Sequence, residues 1–108
     1  MSELLVLSTC PDRESAERIA LALVGQRLAA CVNLVPGLTS IYRWKGSVER
    51  AGEVLLLVKT TRARLPAVQE ALVAAHPYEL PEVVAVEVAG GLPGYLAWLR
   101  AETDPAED

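Results

Sequence analysis

The sequence predicts an α+β domain in which strands and helices follow the order βαββαβ and one further helix closes the chain. Three observations lead there. Short aliphatic runs at Leu4 to Leu7, Val54 to Val58 and Val83 to Val88 are bounded by polar or turn residues, as buried strands are. Between them, two segments carry apolar residues at helical spacing. The chain has 108 residues and no Phe, so it has room for one core, built from Leu, Val, Ile and Ala.

The first strand, Leu4 to Leu7, stops at Ser8-Thr9-Cys10-Pro11, and Asp12 is placed to cap a helix. In that helix Ala16, Ile19, Ala20, Leu23 and Val24 form the apolar stripe, Glu14 and Arg18 pair at i,i+4 on the wet side, and the end is expected near Gly25 to Arg27. Ala29 to Val35 reads as strand, Pro36-Gly37 is expected to interrupt it, and Ser40 to Trp44 resumes it. Lys45-Gly46-Ser47 is the expected hairpin turn before the return strand, which is strongest over Val54 to Val58 and ends at Lys59-Thr60-Thr61. The second helix carries Leu65, Val68, Leu72 and Ala75, with Pro66 in its first turn. His76-Pro77 ends it, because a residue before proline is pushed out of the α region. After the strand at Val83 to Val88, Gly90-Gly91 breaks the chain and Pro93 opens a short helix with Tyr95, Leu96, Trp98 and Leu99. Two crossover helices separated by a hairpin define a ferredoxin-like arrangement: a four-stranded antiparallel sheet with both helices on one face.

A sheet with one wet face alternates apolar and polar residues, whereas these strands are apolar on both faces. The face away from the helices is therefore expected to be covered by self-association into a closed homo-oligomer. The competing expectation is that the terminal helix, with Leu96, Trp98 and Leu99, folds over that face.

Charge narrows the function classes. Glu102, Asp104, Glu107 and Asp108 lie in the last seven residues, and the other ten acidic residues equal the ten basic ones, so the body reads as near neutral, with a domain over 1–102 and an acidic tail over 103–108. No Lys/Arg cluster is present, so neither nucleic acid nor an anionic membrane is expected as partner. The N-terminus lacks the pattern of a secretory signal, and Cys10 and Cys31 form no CxxC pair; a reducing cytoplasm with free thiols is expected.

Ala29-Ala30-Cys31-Val32-Asn33, Pro36-Gly37, Ser40 with Tyr42, Trp44 and Gly46, Glu53, Lys59-Thr60, His76-Pro77-Tyr78, Pro81-Glu82 and Tyr95-Leu96 with Trp98 together resemble the CutA divalent-cation tolerance family along nearly the whole chain. The resemblance implies a ferredoxin-like protomer, a homotrimer similar in architecture to the nitrogen-regulatory PII proteins, and a link to tolerance of copper and other divalent metals. It implies no catalytic reaction. Ser8 and Ala75 stand where some members carry a cysteine and a paired histidine.

The candidate metal ligands are His76, the only histidine, with Cys10 and Glu79 as accessories, because a borderline divalent ion such as copper or zinc prefers imidazole or thiolate. Cys10 is expected as a partly exposed thiol and Cys31 as a packing residue. No cofactor is required on this reading. Lys59, which ends a run of five aliphatics, and Tyr78 are candidate cleft residues, although a strand-end lysine that reaches water is the somewhat stronger reading of Lys59. Tyr42, Trp44 and Trp98 combine large apolar area with a hydrogen-bonding tip and are the expected interface anchors. A metal-response trimer is the first functional expectation and a PII-like regulator binding an effector between subunits the second. An enzyme comes third, since no Ser/His/Asp or Cys/His set stands at readable spacing.

Overall fold

The computed structural model describes residues 2–105 and shows strands β1 (Glu3–Cys10), β2 (Cys31–Trp44), β3 (Ser47–Thr61) and β4 (Val84–Glu87) with helices α1 (Arg13–Gly25), α2 (Leu65–Ala75) and α3 (Pro93–Glu102). The strands form one antiparallel sheet in the order β2-β3-β1-β4, so each crossover helix spans a strand inserted between its own two. This is the expected α+β, ferredoxin-like arrangement with an added helix.

Local chemistry accounts for the boundaries. Asp12 caps α1, its carboxylate accepting from the Ser15 N–H at 2.8 Å. The helix end differs from the expectation built on Gly25. Gly25 remains helical, and Arg27 takes the left-handed conformation at φ 60°, which lets the Leu28 and Arg27 N–H groups donate to the carbonyls of Leu23 and Val24. That turn lays Leu28 against the core beside Leu23.

The long hairpin also differs. Pro36-Gly37 does not end the strand: the pairing slips between Val35 and Leu38 in a bulge, with Gly37 at φ 81°, and β2 continues to Trp44. A bulge has room for a proline that cannot donate to the ladder. The turn is two residues, Lys45 at φ 50° and Gly46 at φ 84°, the signs of a type I′ turn, and Ser47 already pairs with Trp44. β3 is therefore much longer than its aliphatic stretch.

Even-numbered residues of β1 and β3 face α1 and α2. Val6, Cys10, Val54, Leu56 and Val58 pack there with Ile19, Leu23, Val68 and Leu72. Odd-numbered residues face the other way, where Leu5, Leu7, Leu55 and Leu57 remain half-buried while Glu3, Thr61, Thr9 and Glu53 are buried near the two ends. α3 covers only one end of that face. It is fixed at one end of the sheet, where the Arg100 guanidinium donates to Glu3 at 2.8 Å and the Lys59 ammonium to the Tyr95 hydroxyl at 3.4 Å. The Arg100 bond holds the Glu3 carboxyl below its usual range. Thr103, placed by the sequence in the tail, is buried and donates to the Leu99 carbonyl at 2.9 Å. Residues 106–108 of that tail lie outside the described residues.

Candidate functional site

The bulge and the I′ turn project the hairpin beyond the sheet, and its inner wall meets the segment that follows α2. Between them lies a cleft of about 500 Å³. Ser40, Tyr42 and Trp44 form one wall, Tyr78 to Glu82 the other, and Thr9 and Glu53 the floor. Pro77 and Pro81 bracket the second wall and limit its backbone freedom.

Glu53 opens the buried part of β3 and is itself only 8% exposed. Its Oε2 accepts from the Tyr78 hydroxyl at 2.6 Å. Burial pushes the Tyr78 phenol well above its ordinary value, and the bond to the Glu53 carboxylate and its charge push the same way, so the phenol stays a donor. Among the described lining residues there is no Lys or Arg. At the mouth, the Lys45 ammonium lies 5.5 Å above the Trp44 ring and 3.8 Å from Glu79 Oε1.

His76 sits beside this cleft, at the extended residue that ends α2. It is 8% exposed, and both ring nitrogens are engaged. Nδ1 accepts from the Tyr78 N–H at 3.1 Å, which leaves the proton on Nε2, and Nε2 donates to the Thr9 carbonyl at 2.8 Å. The Cys10 thiol is 3.8 Å from Nε2. Two of the three sequence-predicted metal candidates are thus neighbours. Cys10 is not partly exposed as the sequence suggested. It points into the helix-covered core, and burial, the largest influence, pushes its thiol up. Glu79 does not join the pair: it turns to Lys45, and among the described residues no three His, Cys, Asp or Glu side chains converge.

The remaining candidates separate. Tyr78 lines the cleft, whereas Lys59 lies at the α3 end of the sheet with its ammonium 5.5 Å above the Tyr95 ring. Cys31 is the cross-strand partner of Lys59 on the open face, opposite to the face of Cys10, and is half-buried. Tyr42 and Trp98 are surface-exposed, Trp98 packing at 5.4 Å on Tyr95. Sequence reasoning assigned no site role to Glu53, Glu82, Ser40 or Thr9. The available signal was Glu53 itself, a carboxylate directly ahead of five aliphatic strand residues.

Comparison with known proteins accords with this geometry. Residues 4–102 match the family model described as CutA1 divalent ion tolerance protein. The divalent-cation tolerance protein CutA of Thermus thermophilus is 56% identical over 101 residues, covering 94% of this chain and 98% of that protein. The human protein CutA is 47% identical over 100 residues, and the match spans 93% of this chain but only 56% of the human protein. The crystal structure of CutA from Xylella fastidiosa superposes with a TM-score of 0.93 at 49% identity, covering 96% of this chain and all of that one. That of CutA1 from Oryza sativa gives 0.94 at 40% identity, covering 97% and 96%.

Proposed function

The chain belongs to the CutA1 divalent ion tolerance family, and from that premise we propose that it serves divalent-cation tolerance as a non-catalytic homotrimer of the cytoplasm. The observation that carries the assembly is the open sheet face. Val35, Val84 and Val86 are 40%, 50% and 47% exposed in the protomer, and Tyr42 continues the same face along the hairpin. Closed cyclic association buries the same patch on every copy and leaves none free to propagate. Tyr42, Trp44 and Trp98 are its aromatic anchors, and the cleft then lies at a subunit boundary. The cytoplasmic placement rests on Cys10 and Cys31, which stand free on opposite faces of the sheet.

The metal is cargo in this reading and no resident cofactor is required. His76 Nε2 and Cys10 Sγ supply a nitrogen and a sulfur for copper or zinc; as the ion enters, the imidazole proton passes to Nδ1, which gives up the Tyr78 N–H as Nε2 gives up Thr9, and the thiol releases its proton to water. Protons compete for both ligands, so acid weakens binding. Light scattering of the purified chain is expected to give three times the protomer mass. Copper(II) titration at about pH 7.5 and 5.5 is expected to show roughly tenfold weaker binding in acid and a similar loss in His76→Ala and Cys10→Ser, with circular dichroism confirming that both variants fold. A protomer-mass particle, or His76→Ala binding as well as the parent, contradicts the corresponding half of the reading.

A second reading, a PII-like regulator with an effector between subunits, is favoured by the cleft itself. Its volume suits a small molecule, and its floor is formed by Glu53 and Thr9 rather than by the imidazole.

A further inference from the structure

We propose that the cleft binds a linear organic ammonium ion of the polyamine class, its cationic nitrogens taken by Glu53, Glu79 and Glu82 and its methylene chain lying along Tyr42, Trp44 and Tyr78. The inference rests on the effector reading of the cleft and is independent of the His76 metal site.

The buried carboxylate of Glu53 comes first. Its oxygen is met by a neutral phenol, and among the described residues no Lys, Arg or His forms an ion pair with it. One neutral donor leaves the rest of that carboxylate turned to the cleft, and a cation is the counter-charge that the lining lacks. Glu79 and Glu82 repeat the same sign on the opposite wall. An anionic effector such as a nucleotide would meet three carboxylates inside the cleft and a positive side chain only at its mouth, where Lys45 is already paired with Glu79.

The protein also displays the ligand chemistry on itself. Lys45 is a primary ammonium on a four-carbon stem, and its nitrogen sits over Trp44 and beside Glu79 at the mouth of the cleft. An aminoalkyl ligand would make the same two contacts and extend inward to Glu53. The aromatic walls suit its methylenes, as they suit the stems of lysines elsewhere.

The spread of the carboxylates separates this cargo from a metal ion. A divalent cation draws its oxygen ligands to about 2.0 to 2.6 Å from one point. Here no three ligand side chains converge among the described residues. Charges spaced along an alkyl chain match carboxylates spaced around a cleft.

The test is isothermal titration of the full chain with spermidine at low ionic strength, its oligomeric mass checked by light scattering in every variant. The parent is expected to bind saturably. Glu53→Gln keeps an acceptor for Tyr78, removes the charge, and is expected to weaken binding about tenfold or more. Lys45→Gln removes the internal competitor and is expected to tighten binding about threefold. Glu14→Gln, on α1 and outside the cleft lining, is expected to change nothing. Equal losses in Glu14→Gln and Glu53→Gln would identify diffuse attraction to an acidic protein and overturn the proposal. So would silence of spermidine, and an ATP titration then separates the two levels: saturable ATP binding keeps the effector reading with a different ligand class, and silence of both removes it.

Discussion

The two faces of the sheet are built from the same residues and live in different environments. Along β3, Val54, Leu56 and Val58 look toward α1 and α2 and are buried, while Leu55 and Leu57, their immediate neighbours, look the other way and are only half-buried. The difference is larger at the edges, where Val84 and Val86 of β4 stand in the open. An aliphatic side chain thus stabilises the protomer on one face and marks an unfinished surface on the other. The cleft stands where the second kind of surface meets polar chemistry: Glu53 shares its side of the sheet with Leu55 and Leu57.

The sharpest way to break this contrast is to remove one side chain from the covered face. Leu56→Ala leaves a cavity between β3 and the helices and is expected to cost about 3 kcal/mol of stability, read by urea denaturation at fixed protein concentration. A loss below about 1 kcal/mol would mean that the core collapses around the gap. On the open face, Val84→Arg is expected to change protomer stability by only about 0.5 kcal/mol while shifting the particle to protomer mass in light scattering. A trimer that survives this substitution would place the subunit contact away from β4. An effect of opposite sign is expected at Ser8, on the covered face between Val6 and Cys10, whose hydroxyl is fully buried and meets no hydrogen-bond partner among the described residues. Ser8→Ala is expected to stabilise the protein by about 1 kcal/mol in the same urea assay, because it removes an unpaired polar group from an apolar site. A destabilisation would show that the hydroxyl is satisfied in solution by an ordered water.

The contrast also explains which parts of the fold were legible in the sequence. Element order followed from periodicity, since a helical stripe such as Ile19, Leu23 and its neighbours and a run such as Val54 to Val58 have different periods. Asp12 and Pro66 marked helix starts because capping and a missing N–H act within a few residues. Pro36-Gly37 misled, because the same dipeptide that ends an isolated strand is absorbed as a bulge when a long partner strand continues alongside it. Gly25 misled for a related reason: the left-handed residue is Arg27, whose guanidinium also donates to the Ala101 carbonyl at 2.9 Å and ties α1 to α3. In the candidate site, His76 and Tyr78 stood out by their rarity and position. Glu53 did not, because its importance comes from a tyrosine 25 residues away.

By itself, then, the sequence determined the elements, their order, the excess of apolar strand surface and the family, all properties written in local spacing and residue type. Only the tertiary structure decided that His76 spends both nitrogens on backbone groups, the Tyr78 N–H and the distant Thr9 carbonyl, that Cys10 is sealed in the core, and that Glu53, Glu79 and Glu82 face one cleft with Trp44. The reason is physical: burial and charge pairing depend on which distant segments share a volume. The slip at Pro36-Gly37 and the left-handed turn at Lys45-Gly46, which together carry Trp44 out over that cleft, act only once β2 and β3 are paired.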